Sequence, residues 1–188
     1  MKKSIGKCIP PLALPVCLVG AVVKGKPNFC TVAWFTMIDD EPPTLGLVMA
    51  KNNRTKDGIN ENRAFSVNIP NRDLVKQTDW CGLHSGHNQD KSKVFSIEFG
   101  EITNAPLISN CPISVECRLK RIIDLEGVDL VLGTIESVYV EEKATCSGKI
   151  EPMKIDPLIL WTGKGWYLSL GEKIADAYSI GKEYQPPS

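Results

Sequence analysis

The sequence predicts a mainly β protein: an antiparallel sheet curled into a closed or nearly closed barrel, with short helices at its periphery. Three observations lead there. Short apolar or alternating stretches bounded by Gly, Pro, Asn and Asp recur along the chain, about seven of them against about three short helical patterns. Several strands follow each other through turns too short for the crossover that a parallel pair needs. A sheet of that size left open would expose two long edges, and closure removes them.

Val16 to Val23 is an unbroken, valine-rich apolar run, closed by the turn sequence Lys24-Gly25-Lys26-Pro27-Asn28, and Phe29 to Thr36 resumes as a second strand. After the acidic, proline-closed segment Asp39-Asp40-Glu41-Pro42-Pro43, Thr44 to Met49 forms a third strand, and Ala64 to Ile69 alternates as a fourth. Between these two lies a short helix, capped at Asn53 or Thr55 and ending near Glu61-Asn62. A second helix from Arg72 to Cys81 puts Leu74, Val75, Thr78 and Cys81 on one face, with Gly82 as its stop. A long loop follows. From Ile113 the period is two: Ile113, Val115, Cys117 and Leu119 face one way and Ser114, Glu116, Arg118 and Lys120 the other, a strand with one wet face. Leu130 to Val140 pairs with it across the turn region Asp124-Leu125-Glu126-Gly127. Leu158 to Trp161 and Trp166 to Leu170 flank Thr162-Gly163-Lys164-Gly165 as a hairpin, and a last helix runs from about Glu172 to Ile180, with Gly181 at its end.

With 188 residues and no linker, repeat or low-complexity stretch, residues 1–188 read as a single domain. Hydrophobic residues at 43% and charged residues at 23% exclude disordered, collagen-like and coiled-coil chains. Lys+Arg 22 cancels Asp+Glu 22, which leaves no basic footprint for nucleic acid or an anionic membrane. Cys8, Cys17, Cys30, Cys81, Cys111, Cys117 and Cys146 are odd in number and form no Cys-x-x-Cys, so most read as buried free thiols in a reducing compartment. Lys2 and Lys3 precede the apolar run from Leu12 to Val23, but Pro10, Pro11 and Pro15 break it as a helix. The run is also short of the ~20 residues a membrane span requires, so the expectation is a soluble, cytoplasmic protein.

Motifs for protein-borne catalysis are missing. Gly20 to Pro27 nearly spells a phosphate-binding P-loop, but Pro27 stands where the motif needs a Ser or Thr hydroxyl, and no Gly-x-Gly-x-x-Gly supports a dinucleotide site. Cys81, His84, His87 and Asp90 recur every third residue, yet Gly82, Ser85 and Gly86 argue against a continuous helix that would align them, so no metal is assigned. Asn53-Arg54-Thr55 fits a glycosylation sequon and is read as a helix start. Without Gly-x-Ser-x-Gly or a nucleophile beside the two histidines, acyl transfer is unsupported, and any redox chemistry must be carried by a cofactor.

Five pieces in order then discriminate: Asn28-Phe29-Cys30-Thr31-Val32-Ala33-Trp34; Pro42-Pro43; Lys51-Asn52-Asn53-Arg54-Thr55 running into Ile59 and Phe65-Ser66-Val67-Asn68; Ser85-Gly86 with Asp90-Lys91; and Trp166 to Glu172 closing in Ile180-Gly181-Lys182. Together they resemble the flavin reductase-like, FMN-binding split-barrel family in its flavoredoxin version, over nearly the whole chain from about Pro15 to Lys182.

The resemblance implies FMN as cofactor and no catalytic side chain, since the flavin carries the chemistry. Thr31, Val32, Ala33 and Phe35 would line the ring with backbone groups, Trp34 would form an aromatic wall, and Asn28 would bond a polar ring edge. Lys51, Asn52, Arg54 and Thr55 lie at the first helix start, where free N–H groups and a positive dipole end favour phosphate. Met49 and Ala50, just before it, belong to the same implied site. Ser85 and Lys91 would join from the second loop, and Trp161 or Tyr167 would reach in from the C-terminal segment. Where the family often has Asp-His, this chain has Val128-Asp129, and an ionised carboxylate donates no hydrogen bond. The resemblance further implies a homodimer with the flavin near the subunit interface. Three functions follow: electron transfer with a redox protein partner, NAD(P)H-dependent reduction of flavin or a small acceptor, and a non-redox flavin-binding module.

Overall fold

In the computed structural model, which describes residues 1–187, the chain builds one long antiparallel sheet and folds it back on itself. β1 (Ala13–Pro15), β2 (Cys17–Val23), β3 (Lys26–Val32), β4 (Phe35–Asp40) and β5 (Pro43–Ala50) precede the helix α1 (Arg54–Asn62) and β6 (Ala64–Ile69). One 3-10 turn at Arg72–Leu74 leads into α2 (Val75–Leu83). A long loop carrying the two-residue strands β7 (Ile97–Glu98) and β8 (Leu107–Ile108) then delivers the chain to β9 (Ile113–Asp124) and β10 (Val128–Val140). A ribbon of β11 (Thr145–Cys146) and β12 (Lys149–Ile150), the single turn α3 (Pro152–Ile155) and the hairpin β13 (Ile159–Trp161) with β14 (Trp166–Leu168) follow.

Seven strands share the main sheet in the order β3-β2-β6-β9-β10-β5-β4. Its edge strands, β3 and β4, are consecutive in sequence and joined only by Ala33 and Trp34. That link spans about 10 Å, so the edges must meet there, and the sheet curls into a barrel pinned at one corner and split along its seam. Trp34 O fixes the corner by accepting from Val48 N of β5 at 2.9 Å. Alternate residues fill the interior: Val19 and Ala21 of β2, Leu45, Leu47 and Met49 of β5, Phe65 and Val67 of β6, and Val115 and Cys117 of β9. α1 reaches β2 because position 58 is glycine; a Cβ there would stand 2.4 Å from Val22 O. On the outer face Leu18, Phe29, Leu74, Cys81, Phe95 and Ile108 pack beneath α2 and the long loop.

The fold is mainly β and antiparallel, with peripheral helices. The single strand Phe29 to Thr36 is two, broken at the corner, and the preceding turn is only Lys24 and Gly25, at φ 49° and 77°. Gly82 does not stop α2, which runs on to Leu83. β9 has a wet face only from Arg118 onward. Before that, Ser114 and Glu116 are covered by the long loop, and Glu116 accepts from Glu101 N at 3.2 Å and Ile102 N at 3.0 Å. No α-helix forms over 172–180; there is only a 3-10 turn at Ile180–Glu183. Ile174 and Tyr178 are 95% and 97% exposed, and so short a helix is marginal without a surface for its apolar face. β1, the two-residue strands and α3 lack the length for a readable period. Five cysteines are buried and all seven are free. No helix among the described residues is long and apolar enough to cross a membrane.

Candidate functional site

α1 begins where β5 ends, beside β3, and a polar cavity of about 240 Å³ lies between that start, β3 and the end of α2. Asn53 is the cap: its Oδ1 accepts from Thr55 N at 2.9 Å and Lys56 N at 3.4 Å. Thr55 is fully buried, and its Oγ1 accepts from Asn28 Nδ2 at 2.8 Å, tying the helix start to β3. Asn28 in turn lies against Gly86, where a Cβ would come 2.5 Å from Asn28 Oδ1, so only glycine lets the loop after α2 close. That loop is held from within by Asn88 N and Gln89 N, each donating to Ser85 O at 3.0 Å. A second polar cavity, about 260 Å³, meets the first at Asn28, Arg54, Gly86 and Lys91.

Lys91 is the unusual group of this wall. It is 2% exposed, and its ammonium donates to Phe29 O at 3.0 Å and Cys81 O at 2.8 Å. None of the ion pairs among the described residues includes it. An ammonium carries three donors, two of which these carbonyls occupy. Burial holds its pKa below the ordinary lysine value, the mark of a cation without its counter-charge. An anion in the cavity would relieve that cost.

Lys51 is committed elsewhere. Its Nζ pairs with Asp124 at 2.6 Å and Asp129 at 2.9 Å, while the other oxygen of Asp129 takes Lys56 Nζ, which also donates to Lys51 O at 2.5 Å. Lys56 and then Lys51 hold the Asp129 carboxyl below the usual carboxylate range. Asp129 therefore acts as a brace, fastening the end of the β9–β10 hairpin to the loop that opens α1. Two thiols line the cavity: burial raises Cys30, and pushes Cys81 up to about 11 against the pull of Lys91. Both stay protonated at neutral pH, so neither offers a nucleophile.

Of the residues expected at the site, Asn28, Thr31, Ala50, Asn52, Arg54, Thr55, Ser85 and Lys91 line this one cavity. Val32 and Met49 point into the barrel core. Ala33, Trp34 and Phe35 line a separate apolar cleft of about 610 Å³ that shares no residue with the polar cavity. Trp161 and Tyr167 belong to the three-stranded sheet β1-β13-β14, where Tyr167 donates its hydroxyl to Asp79 at 3.1 Å. Cys30, Leu83, His84 and Gly86 line the cavity without having been singled out as ligand contacts; a lone sequence carries no sign of the Gly86 contact. The evenly spaced Cys81, His84, His87 and Asp90 disperse: Asp90 pairs with Lys26 at 3.0 Å, His84 stacks on Trp80, and His87 Nε2 lies 3.2 Å from Asn52 O.

Amides, hydroxyls, a capped helix start and an unpaired ammonium suit a polyhydroxylated chain that ends in phosphate. Each of the two joined polar cavities is by itself smaller than the ~300–1,000 Å³ of drug-sized sites, so with the chain and its phosphate held in them a flat ring would extend to the mouth, beside Ala50 and the 74%-exposed Leu83.

A family model described as "Flavin reductase like domain" matches residues 10–165. The fold is similar to flavoredoxin from Methanosarcina acetivorans, at 37% identity and TM-score 0.92, over 97% of this chain and 98% of that one. It is also similar to flavoredoxin of Desulfovibrio vulgaris (Miyazaki F), at 31% identity and TM-score 0.90, over 96% and 100%. An FMN-binding protein from Thermus thermophilus shares the fold at 23% identity and TM-score 0.79, over 94% and 99%.

Proposed function

The chain belongs to the flavin reductase-like domain family, and from that premise we propose that it is an FMN-binding flavoprotein of flavoredoxin type, exchanging electrons with a redox protein partner. The observation that carries FMN, with its phosphate, is Lys91: a buried ammonium with no carboxylate partner among the described residues, in a polar cavity beside a helix start. Lys91 and Arg54 take the phosphate, beside the positive end of α1. Asn28, Thr31, Asn52 and Ser85 bond the polyol and one ring edge. Asp129, through Lys51 and Lys56, keeps the loop that forms the cavity floor in place. When bound, FMN supplies one- and two-electron chemistry that no side chain here provides. The ring left at the cavity mouth supports a homodimer in which the second copy covers it. Free, buried thiols support a reducing, cytoplasmic setting.

The test is the visible spectrum of the purified chain and its titration with FMN. Uptake of FMN with a yellow chromophore, slow bleaching by NADH or NADPH, and fast transfer from the photoreduced form to a protein acceptor are expected. Rapid bleaching by a nicotinamide would replace this reading with an NAD(P)H-dependent reductase. Failure to take up FMN would overturn both.

A further inference from the structure

Of the two histidines in the chain, His84 lines the first polar cavity and His87 the second. His84 Nδ1 lies 3.0 Å from Trp80 O, and a carbonyl only accepts, so Nδ1 carries the hydrogen and Nε2 keeps its lone pair. His87 Nε2 lies 3.2 Å from Asn52 O and by the same argument carries its own hydrogen. The direction of the His84 ring is fixed as well. It is half-buried, its backbone N donates to the same Trp80 O at 3.1 Å, and the ring stacks on Trp80 with 4.5 Å between centroids. Its Nε2 has no hydrogen-bond partner among the described residues, and the ring is in none of their ion pairs. An oriented, unused acceptor on a cavity wall suits a ligand donor.

Place along the cavity decides which donor. Asn28, Arg54, Gly86 and Lys91 are shared with the second cavity and mark the phosphate end. His84 lines the first cavity alone and follows Leu83 at the mouth, which is the ring side. An oxidised flavin ring has a single N–H, set between two carbonyls, and it needs an acceptor. Asn53 Oδ1 and Thr55 Oγ1 already accept within the fold, while Lys91 and Arg54 only donate. The charged and titratable groups around His84 are few. Arg54, paired with Asp57 at 3.4 Å, and Lys91 line the same cavity; burial keeps Cys30 and Cys81 protonated; Asp79 of α2 accepts from the Tyr167 hydroxyl. No carboxylate lines the cavity. Imidazole is the one side chain on this wall that ordinarily titrates between about pH 5 and 8.

We propose that His84 Nε2 is a contact to the flavin ring, accepting its hydrogen bond when the ring is oxidised and taking up a proton when the ring is reduced. This rests on the FMN reading above and adds the group that ties electron arrival to proton uptake. Two electrons from the redox partner and one proton enter the ring, which leaves one negative charge there. A second proton goes from solvent to Nε2, so that an imidazolium faces that charge.

NMR of the full chain with isotope-labelled histidine rings reads each ring nitrogen separately, and His87→Gln assigns the two residues. Above about pH 8 the ligand-free chain should show His84 protonated at Nδ1 and His87 at Nε2. Riboflavin, which has the ring but no phosphate, should move the His84 Nε2 resonance toward its hydrogen-bonded position and leave His87 in place. His84→Phe keeps an aromatic ring against Trp80. It should weaken riboflavin and FMN alike, by about 3–10-fold for one neutral hydrogen bond. It should also abolish the loss of riboflavin affinity that the parent shows as pH falls from about 8 to about 6. Dithionite reduction of the FMN-loaded parent should take up more protons than the same reduction of the Phe variant. Failure to bind either flavin would overturn this proposal together with the FMN reading. Normal flavin binding with an unmoved His84 Nε2 resonance, with equal pH slopes in parent and variant, or with equal proton uptake would overturn the His84 assignment alone. The NMR arm uses the parent chain and decides the contact even where the Phe variant fails to fold.

Discussion

Lys91→Met deletes one ammonium and keeps an apolar stem of similar length. Two effects on the ligand-free fold oppose each other. Phe29 O and Cys81 O lose their donor, at about 1–3 kcal/mol for each buried carbonyl left unpaired, but a buried cation without a counter-charge disappears as well. The net change in unfolding free energy should therefore be small, about 1–2 kcal/mol. The effect on the ligand is not offset. A charge-assisted bond to phosphate contributes about 1.5–3 kcal/mol, so FMN should bind about 10–150-fold more weakly, and riboflavin, with no phosphate, nearly as before. pH gives a second readout. Because the folded-state pKa of Lys91 lies below the ordinary lysine value, the unfolded chain holds more protons between the two values, and rising pH stabilises the ligand-free fold across that window. FMN, by contrast, requires the ammonium, so its affinity should fall as pH rises through the lowered pKa, and the Met variant should lose that slope. Fluorescence titration with FMN and riboflavin, from neutral to alkaline pH, measures both. Equal weakening of the two ligands, or an unchanged pH slope in the variant, would refute the assignment of Lys91 to the phosphate.

Gly86→Ala places a Cβ 2.5 Å from Asn28 Oδ1 and should weaken FMN about 10-fold by breaking the Asn28–Thr55 bond; Gly82→Ala, 3.5 Å from Thr31, should bind normally, and matching titrations would remove the cradle argument. Asp129→Asn removes the charge that Lys51 and Lys56 share, leaving Lys51 on Asp124 and Lys56 on Lys51 O, so FMN affinity should drop and amide exchange over residues 50–56 quicken. The lowered carboxyl makes this brace present above the ordinary carboxylate value of about 4 and lost as pH falls through the folded value, so the parent's brace should persist below pH ~4. Trp34→Leu should leave bound FMN as dim as in the parent, since Trp34 lines the apolar cleft; recovered emission would bring an aromatic wall back to that position. Glu116→Leu leaves Glu101 N, Ile102 N and the Tyr139 hydroxyl without their acceptor and should cost about 3–5 kcal/mol in urea unfolding, with FMN affinity unchanged.

Local chemistry made much of the fold legible. Alternation and turn residues marked β6 at its observed bounds Ala64–Ile69 and α1 to its last residue, because side-chain period and capping act within a few positions. Half of the expected site residues also meet in one cavity, since the segments that carry them are β3, the end of β5, the start of α1 and the loop after α2. Long-range packing decided the rest. Nothing in the alternation of β9 says that a loop will cover Glu116, and nothing in Asp90-Lys91 says that the lysine will turn inward onto two carbonyls while its neighbour stays out to pair with Lys26. Trp34 follows Thr31 by three residues, yet the barrel corner between them sends one to an apolar cleft and the other to a polar cavity. The helix expected over 172–180 has no surface to bury an apolar face against. A sequence specifies which face of each segment is apolar; which faces meet depends on how the sheet closes, and closure is a property of all its strands together.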